Sequence, residues 1–385
     1  MIRATVKWLV DLTGLHFRYI EKEGTESYMK IGLVGLPKSG KTTIFNALSK
    51  SHAEVSAYSG GKAEPNLASV SVEDERLTRL AEIVKPKKTV YVSLDLMDFA
   101  GFAVHESDSA AFSPELLQLI RLNDALAVVL RNFPSDLEED PSPFERLSTI
   151  ESEFLLADHI IVENRLERID KTRRTGQFTP LLESEQKLLK RIEAVLDTGQ
   201  PLREMELEES EKKAVNGFKF LTLKPVMVVL NSAENNFGQN AALVEELGKK
   251  YPTIECAGKF EMELSQLDDE AEIEAFLADM GIAESARLRL TKTAFNMLGY
   301  ISFFTIGKDE VRAWNIVRGD TAIDAAGSVH TDMARGFIRA ECYSYDDFIE
   351  CGGEERAVKE AGKFRLEGRD YVVKDGDMLC FRFNV

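Results

Sequence analysis

Short apolar runs recur along the first two thirds of the chain, and helical spacing follows most of them. Residues 30–34, 124–130 and 225–230 are nearly unbroken in Ile, Leu, Val, Ala and Met, the composition of strands buried on both faces. Residues 90–97 and 252–257 read as further strands, and 67–72 alternates apolar and polar positions as a half-buried strand does. Residues 43–48, 73–84 and 240–249 instead space their apolar positions three and four apart, the period of an amphipathic helix. Strands alternating with helices predict a right-handed parallel sheet that binds its ligand at the C-terminal ends of the strands.

Residues 136–218 break this rhythm. Ile150, Phe154, Ala157 and Ile161 alternate spacings of four and three, and Leu188, Ile192 and Val195 do the same. A polar stretch, 171–179, separates them, and Thr179-Pro180 has the form of an N-cap followed by proline at the first helical position. The pattern predicts an antiparallel helical hairpin with coiled-coil packing, inserted into the sheet domain. Its charge-rich faces read as solvated helix surface. Beyond about residue 300, short alternating strands at 302–306, 311–317, 336–342, 371–373 and 378–383, with brief helices at 321–326 and 345–351, predict a small α+β module. The expected organisation is an appendage at 1–28, a sheet domain in two parts (29–135 and 220–285), the hairpin at 136–219 and the module at 300–385. Residues 1–28 carry no signal-peptide pattern, so they are either an appendage or precede a true start at Met29.

A chain of 385 residues is too long for one ordinary core. Its 44% hydrophobic and 29% charged content suits a soluble globular protein, and no apolar run reaches the length of a membrane span. A formal net charge of −17 argues against binding nucleic acid through bulk charge. Neither DNA nor membrane is expected as a partner. Cys256, Cys342, Cys351 and Cys380 form no C-x-x-C pair, which points to reduced, structural thiols in a cytoplasmic protein.

The chemistry concentrates between the first strand and helix. Gly35-Leu36-Pro37-Lys38-Ser39-Gly40-Lys41-Thr42 fits G-x-x-x-x-G-K-[ST] at every fixed position. A glycine loop running into a helix N-terminus turns backbone N–H groups and the positive end of the helix dipole toward an anion. Gly35 and Gly40 admit phosphate oxygens close to the backbone, Lys41 reaches the β/γ-phosphates, and the Thr42 hydroxyl binds Mg²⁺, with Thr43 completing the cradle. Asp98, at the end of a neighbouring strand, is placed to hold Mg²⁺ through water, and the backbone N–H of Gly101 to meet the γ-phosphate.

Further motifs follow in a fixed order: AEPN at 63–66, DFAG at 98–101, LTLKP and NSAE within 221–234, and CAGKFEMEL at 256–264. KDEVRAW, AAGSVHTDMARGFIRAE and EAGKFRLEGRDYVVKDGD lie nearer the C-terminus. With these motifs the chain from residue 29 onward resembles the YchF-type ATPases of the Obg-related branch of P-loop proteins. The resemblance implies an α/β P-loop NTPase G domain with a parallel-type sheet, an inserted helical hairpin and a C-terminal α+β, ubiquitin-like TGS domain. It also implies a Mg²⁺-dependent nucleotide switch that slowly hydrolyses ATP and associates with the ribosome or a ribosomal subunit. Asn231, Glu234, Cys256 and Ala257 fall at the base-binding motifs. GTP-selective proteins of this class use N-K-x-D, whose short carboxylate pairs with guanine N1–H and N2–H₂. Asn231-Ser232-Ala233-Glu234 lacks that Lys and has a carboxylate one methylene longer. Loss of the guanine clamp removes discrimination on the order of 2–5 kcal/mol. ATP is therefore expected to bind at least as well as GTP. The alternatives are a GTP-binding protein, or an adaptor that binds nucleotide and hydrolyses little.

Three departures from the family pattern fall on catalysis. Lys38 replaces an Asn that helps hold K⁺ in potassium-activated relatives; its ammonium either substitutes for that ion or points to solvent. Lys62 stands where switch I commonly has Thr. After Gly101 the family's glycine-rich switch II becomes Phe102 to Phe112 without glycine, leaving His105, beside Glu106, as the candidate base. In the C-terminal module, His330, Arg335 and Arg339 either contact RNA as a local patch or are ordinary surface.

Overall fold

The computed structural model describes residues 4–10, 16–22, 29–49, 65–99, 111–134, 142–267 and 269–384. They fall into two compact units, Met29–Glu73 with Ser93–Leu298, and Asp74–Val92 with Gly299–Val385, the second also taking in Met1–Tyr28.

The chain opens with β1 (Ala4–Val10) and β2 (His16–Lys22), an antiparallel pair. β3 (Met29–Val34) and β4 (Asn66–Val72) begin the larger unit. The helix Glu75–Val84 and the short β5 (Lys88–Val90) belong to the other unit, and β6 (Val92–Asp98) returns. β7 (Ala125–Asn132), β8 (Val226–Ser232) and β9 (Thr253–Cys256) complete a six-stranded sheet in the order β4-β6-β3-β7-β8-β9. From β6 to β9 every neighbouring pair is parallel. Every residue of β7 and β8 is buried, and these central strands are apolar up to their last two residues, the buried polar Arg131-Asn132 and Asn231-Ser232, whereas β6 alternates. The sheet is thus the α/β P-loop arrangement expected from the sequence.

The hairpin is the pair Pro143–Arg174 and Pro180–Asp197. Arg165 pairs with Glu185 and His159 with Asp197, so the helices run antiparallel. Thr179 caps the second helix by accepting from the N–H of Leu182, with Pro180 at its first turn. The first helix serves two cores. Leu147, Ile150 and Phe154 pack with the sheet strands, while Val162 and Ile169 pack with Leu189 and Ile192 of the second helix. Between them Asp158 is fully buried, paired with Arg121 at 2.7 Å and accepting from the N–H groups of Leu221 and Thr222. The coiled-coil seam accordingly covers only the distal half.

In the second unit β10 (Tyr300–Ile306), β11 (Glu310–Val317), β12 (Phe337–Ser344), β13 (Arg365–Glu367) and β14 (Asp377–Phe383) join β5 in the order β13-β12-β14-β10-β11-β5. Phe303, Ile316, Ala325 and Leu379 form its core under the helix Ala322–Val329. Two expectations need correction. The run 90–97 is not one strand: β5 pairs in parallel with β11, and β6 belongs to the other sheet. Residues 74–92 therefore leave the stretch 29–135 assigned to the sheet domain. Residues 371–373 make only an isolated bridge, Val372 to Thr321. Among the described residues no helix is long and apolar enough to cross a membrane, and all four cysteines are free.

Candidate functional site

The site lies where β3, β6 and β8 end. β3 runs into Gly35, and the first helical bond, from Ile44 N–H to the Gly40 carbonyl (2.9 Å), starts the helix Lys41–Ser49. Two loop positions require glycine. A Cβ on Gly35 would lie 2.5 Å from the Val129 carbonyl oxygen. Gly40 has φ +87°, and its Cβ would meet Asn231 Nδ2 at 2.2 Å. Lys41 donates to the carbonyls of Gly35 (2.7 Å) and Leu36 (3.1 Å). Burial lowers its pKa to about 8, against the opposing attraction of Asp98.

Asp98 ends β6 with no exposed surface. Its Oδ2 accepts from the Thr42 hydroxyl (2.9 Å) and from Asn66 Nδ2 (3.4 Å). Burial raises its pKa, while Thr42, Lys41 and Asn66 oppose the shift. Asp98 Oδ1 and Ser39 Oγ are buried without a hydrogen-bond partner. A free carboxylate oxygen beside a hydroxyl fits a hard divalent cation. Mg²⁺ usually takes one or two carboxylates plus substrate phosphates and water. Among the described residues no cluster of three His, Cys, Asp or Glu offers an all-protein cage.

Asn231, near the end of β8, binds backbone on both sides. Its Nδ2 donates to the Ser39 carbonyl (3.0 Å), and its Oδ1 accepts from the N–H of Gly258 (3.0 Å). The Asn231 amide is committed to holding two loops together, so its part is positioning. Gly258 was not expected in the site, although it stands inside the CAGKFEMEL motif. A Cβ there would press on Asn231 Oδ1 (2.7 Å) and Ile44 Cδ1 (2.8 Å). Asn66 was likewise missed, despite belonging to AEPN. Just past β8, Glu255 accepts from Ser232 (2.6 Å) and Asn240 (2.5 Å).

The remaining expected residues divide. Pro37 and Lys38 are exposed, Leu36 and Thr43 half-buried, and Lys38 holds a left-handed backbone with φ 62°. Glu234 is exposed. Cys256 and Ala257 are buried, and burial pushes the Cys256 thiol far up. Only their backbone is available to a ligand. Lys62, Gly101, Phe102, His105 and Glu106 lie outside the described residues. In the C-terminal module His330, Arg335 and Arg339 are exposed. His330 caps the helix Thr331–Arg335 by accepting from Asp332 N–H, and Arg335 pairs with Asp332.

A family model described as 50S ribosome-binding GTPase matches residues 30–165, and the model for the YchF-GTPase C-terminal domain, described as a protein of unknown function, matches 300–384. The ribosome-binding ATPase YchF of Pasteurella multocida is 40% identical over 365 residues, 92% of this chain and 99% of that protein. The Obg-like ATPase 1 of Oryza sativa is 35% identical over 93% of both chains. The solved structure of the Schizosaccharomyces pombe YchF GTPase superposes with a TM-score of 0.81 at 30% identity, covering 94% of this chain and 99% of that one. With the phosphate loop, the buried Asp98 and the Asn231 tether in one site, and this likeness along nearly its whole length, the chain belongs to the YchF family.

Proposed function

We propose that this protein is a Mg²⁺-dependent ATPase that uses its nucleotide state as a slow switch for association with the ribosome, in the cytoplasm. The juxtaposition of Lys41, Thr42 and Asp98 carries the reading. Lys41 would move from the loop carbonyls to β/γ-phosphate oxygens, and Thr42 and Asp98 would hold the cation. Mg²⁺, when bound, neutralises charge on the phosphates. Ribosome association rests on the names of the bacterial relatives. That ATP binds at least as well as GTP rests on Glu234, which is exposed and has neither the length nor the Lys neighbour of the guanine clamp. Gly101 is assigned to the γ-phosphate and His105 to base catalysis on sequence position alone.

Single-turnover hydrolysis with wild type and Lys41→Ala tests the enzyme reading. Phosphate release from wild type that is lost in the variant is expected. Equal, negligible release with intact ATP binding would instead identify a nucleotide-dependent adaptor. Calorimetry giving GTP tenfold tighter binding than ATP would refute the base assignment. Lys38 is proposed as a tethered replacement for K⁺; hydrolysis strongly dependent on K⁺ over Na⁺ would exclude that role.

A further inference from the structure

Three contacts tie the end of switch II to the base of the hairpin. The first is polar: the backbone N–H of Ala111 donates to Glu153 Oε1, on the helix Pro143–Arg174, at 3.0 Å. The second is aromatic. Phe112 stacks on Phe154, with ring centroids 5.8 Å apart and planes inclined by 23°. Both rings are buried and share one apolar cluster with Leu116, Ile120 and Ile150. The third is the buried Arg121–Asp158 pair, at the last residue of the helix Pro114–Arg121. Glu153, Phe154 and Asp158 stand within two turns of one helix, and each holds a different point of the chain that leaves switch II.

Phe154 and Asp158 need no role beyond packing, since a stacked ring pair and a buried ion pair close a core. Glu153 is different. It is half-buried, and among the described residues it forms no ion pair and has Ala111 as its hydrogen-bond partner. No backbone carbonyl among the described residues takes the Ala111 N–H, because the helix that follows is capped later, by Ser113 accepting from Leu116 N–H at 3.2 Å. The other end of this stretch is also fixed. Asp98 closes β6 with its carboxylate on the Thr42 hydroxyl. Gly101 and His105, assigned above to the γ-phosphate and to base catalysis, stand between Asp98 and Ala111 in sequence. A segment anchored at both ends has less conformational freedom to lose on reaching a reactive geometry than one anchored at one end.

We propose that Glu153 is a positioning residue for ATP hydrolysis: its carboxylate holds the Ala111 N–H and so fixes where switch II rejoins the fold. The inference rests on the ATPase reading above and gives the base of the inserted hairpin a part in that reaction. Glu153 acts through the main chain of switch II and touches neither the phosphate loop nor the Thr42–Asp98 pair, so it should affect turnover and leave nucleotide affinity alone.

Steady-state hydrolysis by the full-length protein, beside calorimetry with a non-hydrolysable ATP analogue, tests this. Glu153→Ala deletes the acceptor and is expected to lower kcat roughly tenfold, the effect of one charge-assisted hydrogen bond, with the analogue's Kd within about twofold of wild type. Glu153→Gln keeps a side-chain oxygen in the same place and should restore kcat to near the wild-type value. A purely structural residue would not divide kcat from affinity in this way. Wild-type kcat in Glu153→Ala overturns the proposal. So does a Gln variant as slow as the Ala variant, or an equal loss of turnover and affinity. Hydrogen exchange at the Ala111 amide decides the matter without turnover. Exchange roughly tenfold faster in Glu153→Ala, and unchanged in Glu153→Gln, supports the anchor, while equal rates in all three proteins overturn it. A wild type that hydrolyses nothing counts against the ATPase reading, and the exchange result then stands by itself for or against the anchor.

Discussion

Replacing Asn231 by Ala should loosen the phosphate loop more than it disturbs the sheet. Asn231 is only 4% exposed, and its amide spans from the Ser39 carbonyl to the Gly258 N–H, both at 3.0 Å. Truncation orphans one buried acceptor and one buried donor. Each such group costs about 1–3 kcal/mol, and loop relaxation recovers part of that, so a net loss of about 3 kcal/mol is expected. For a unit of this size, about 2–4 °C per kcal/mol gives a melting shift of roughly 6–12 °C. ATP affinity should fall about tenfold or more, because a loop free to depart from its binding geometry must be re-ordered by the ligand. Asn231→Asp separates the two bonds. It keeps an acceptor for Gly258 but sets a carboxylate oxygen against the Ser39 carbonyl, so it should bind ATP no better than Asn231→Ala. Differential scanning fluorimetry and calorimetry read both quantities, with exposed Glu234→Ala as the stability control, expected within about 0.5 kcal/mol of wild type. If Asn231→Ala melts within about 1 °C of wild type and binds ATP within about twofold, the tether is not what holds the loop.

Other outcomes follow from the same geometry. Lys41 titrates near 8, well below its ordinary value. Triphosphate favours its charged form, so ATP binding should take up a proton above about pH 8 and weaken as pH rises through that value, by at most tenfold per unit; calorimetry in buffers of different ionisation enthalpy measures it. The same shift makes the folded protein bind fewer protons than the unfolded chain between about 8 and 10.5, so this group's contribution to stability rises with pH across that window. Asp158→Ala should cost about 3–5 kcal/mol in chemical denaturation, because it strands the Arg121 cation and the N–H groups of Leu221 and Thr222. Lys38→Gly should raise stability by about 1 kcal/mol by relieving the left-handed backbone at φ 62°.

Much of the larger sheet was legible because its signals are local. The fully buried β7 and β8 follow directly from unbroken apolar runs, and Gly40 and Lys41 from a motif whose spacing is set by backbone geometry. The hairpin was legible as a pattern of spacing and as a Thr-Pro cap. Its seam was less so, because buried Asp158 interrupts the apolar period, and a polar residue at a core position reads as surface until its partner Arg121 is seen. The division within 90–97 was invisible for a related reason. β5 and β6 are separated only by Tyr91, and periodicity does not say which sheet a short strand joins.

Local order along the chain thus determined the phosphate loop, its flanking strand and helix, the inserted hairpin and the family likeness. These depend on residues near one another in sequence, where steric rules and periodicity act directly. Tertiary structure alone decided that Asn231 ties Ser39 to Gly258, that Asn66 and Thr42 converge on Asp98, and that the thiol of Cys256 is sealed away. Each of those facts joins positions far apart in the chain. A single side-chain amide or carboxylate has no periodic signature, and its role is set only when packing removes water and leaves it one partner on each side.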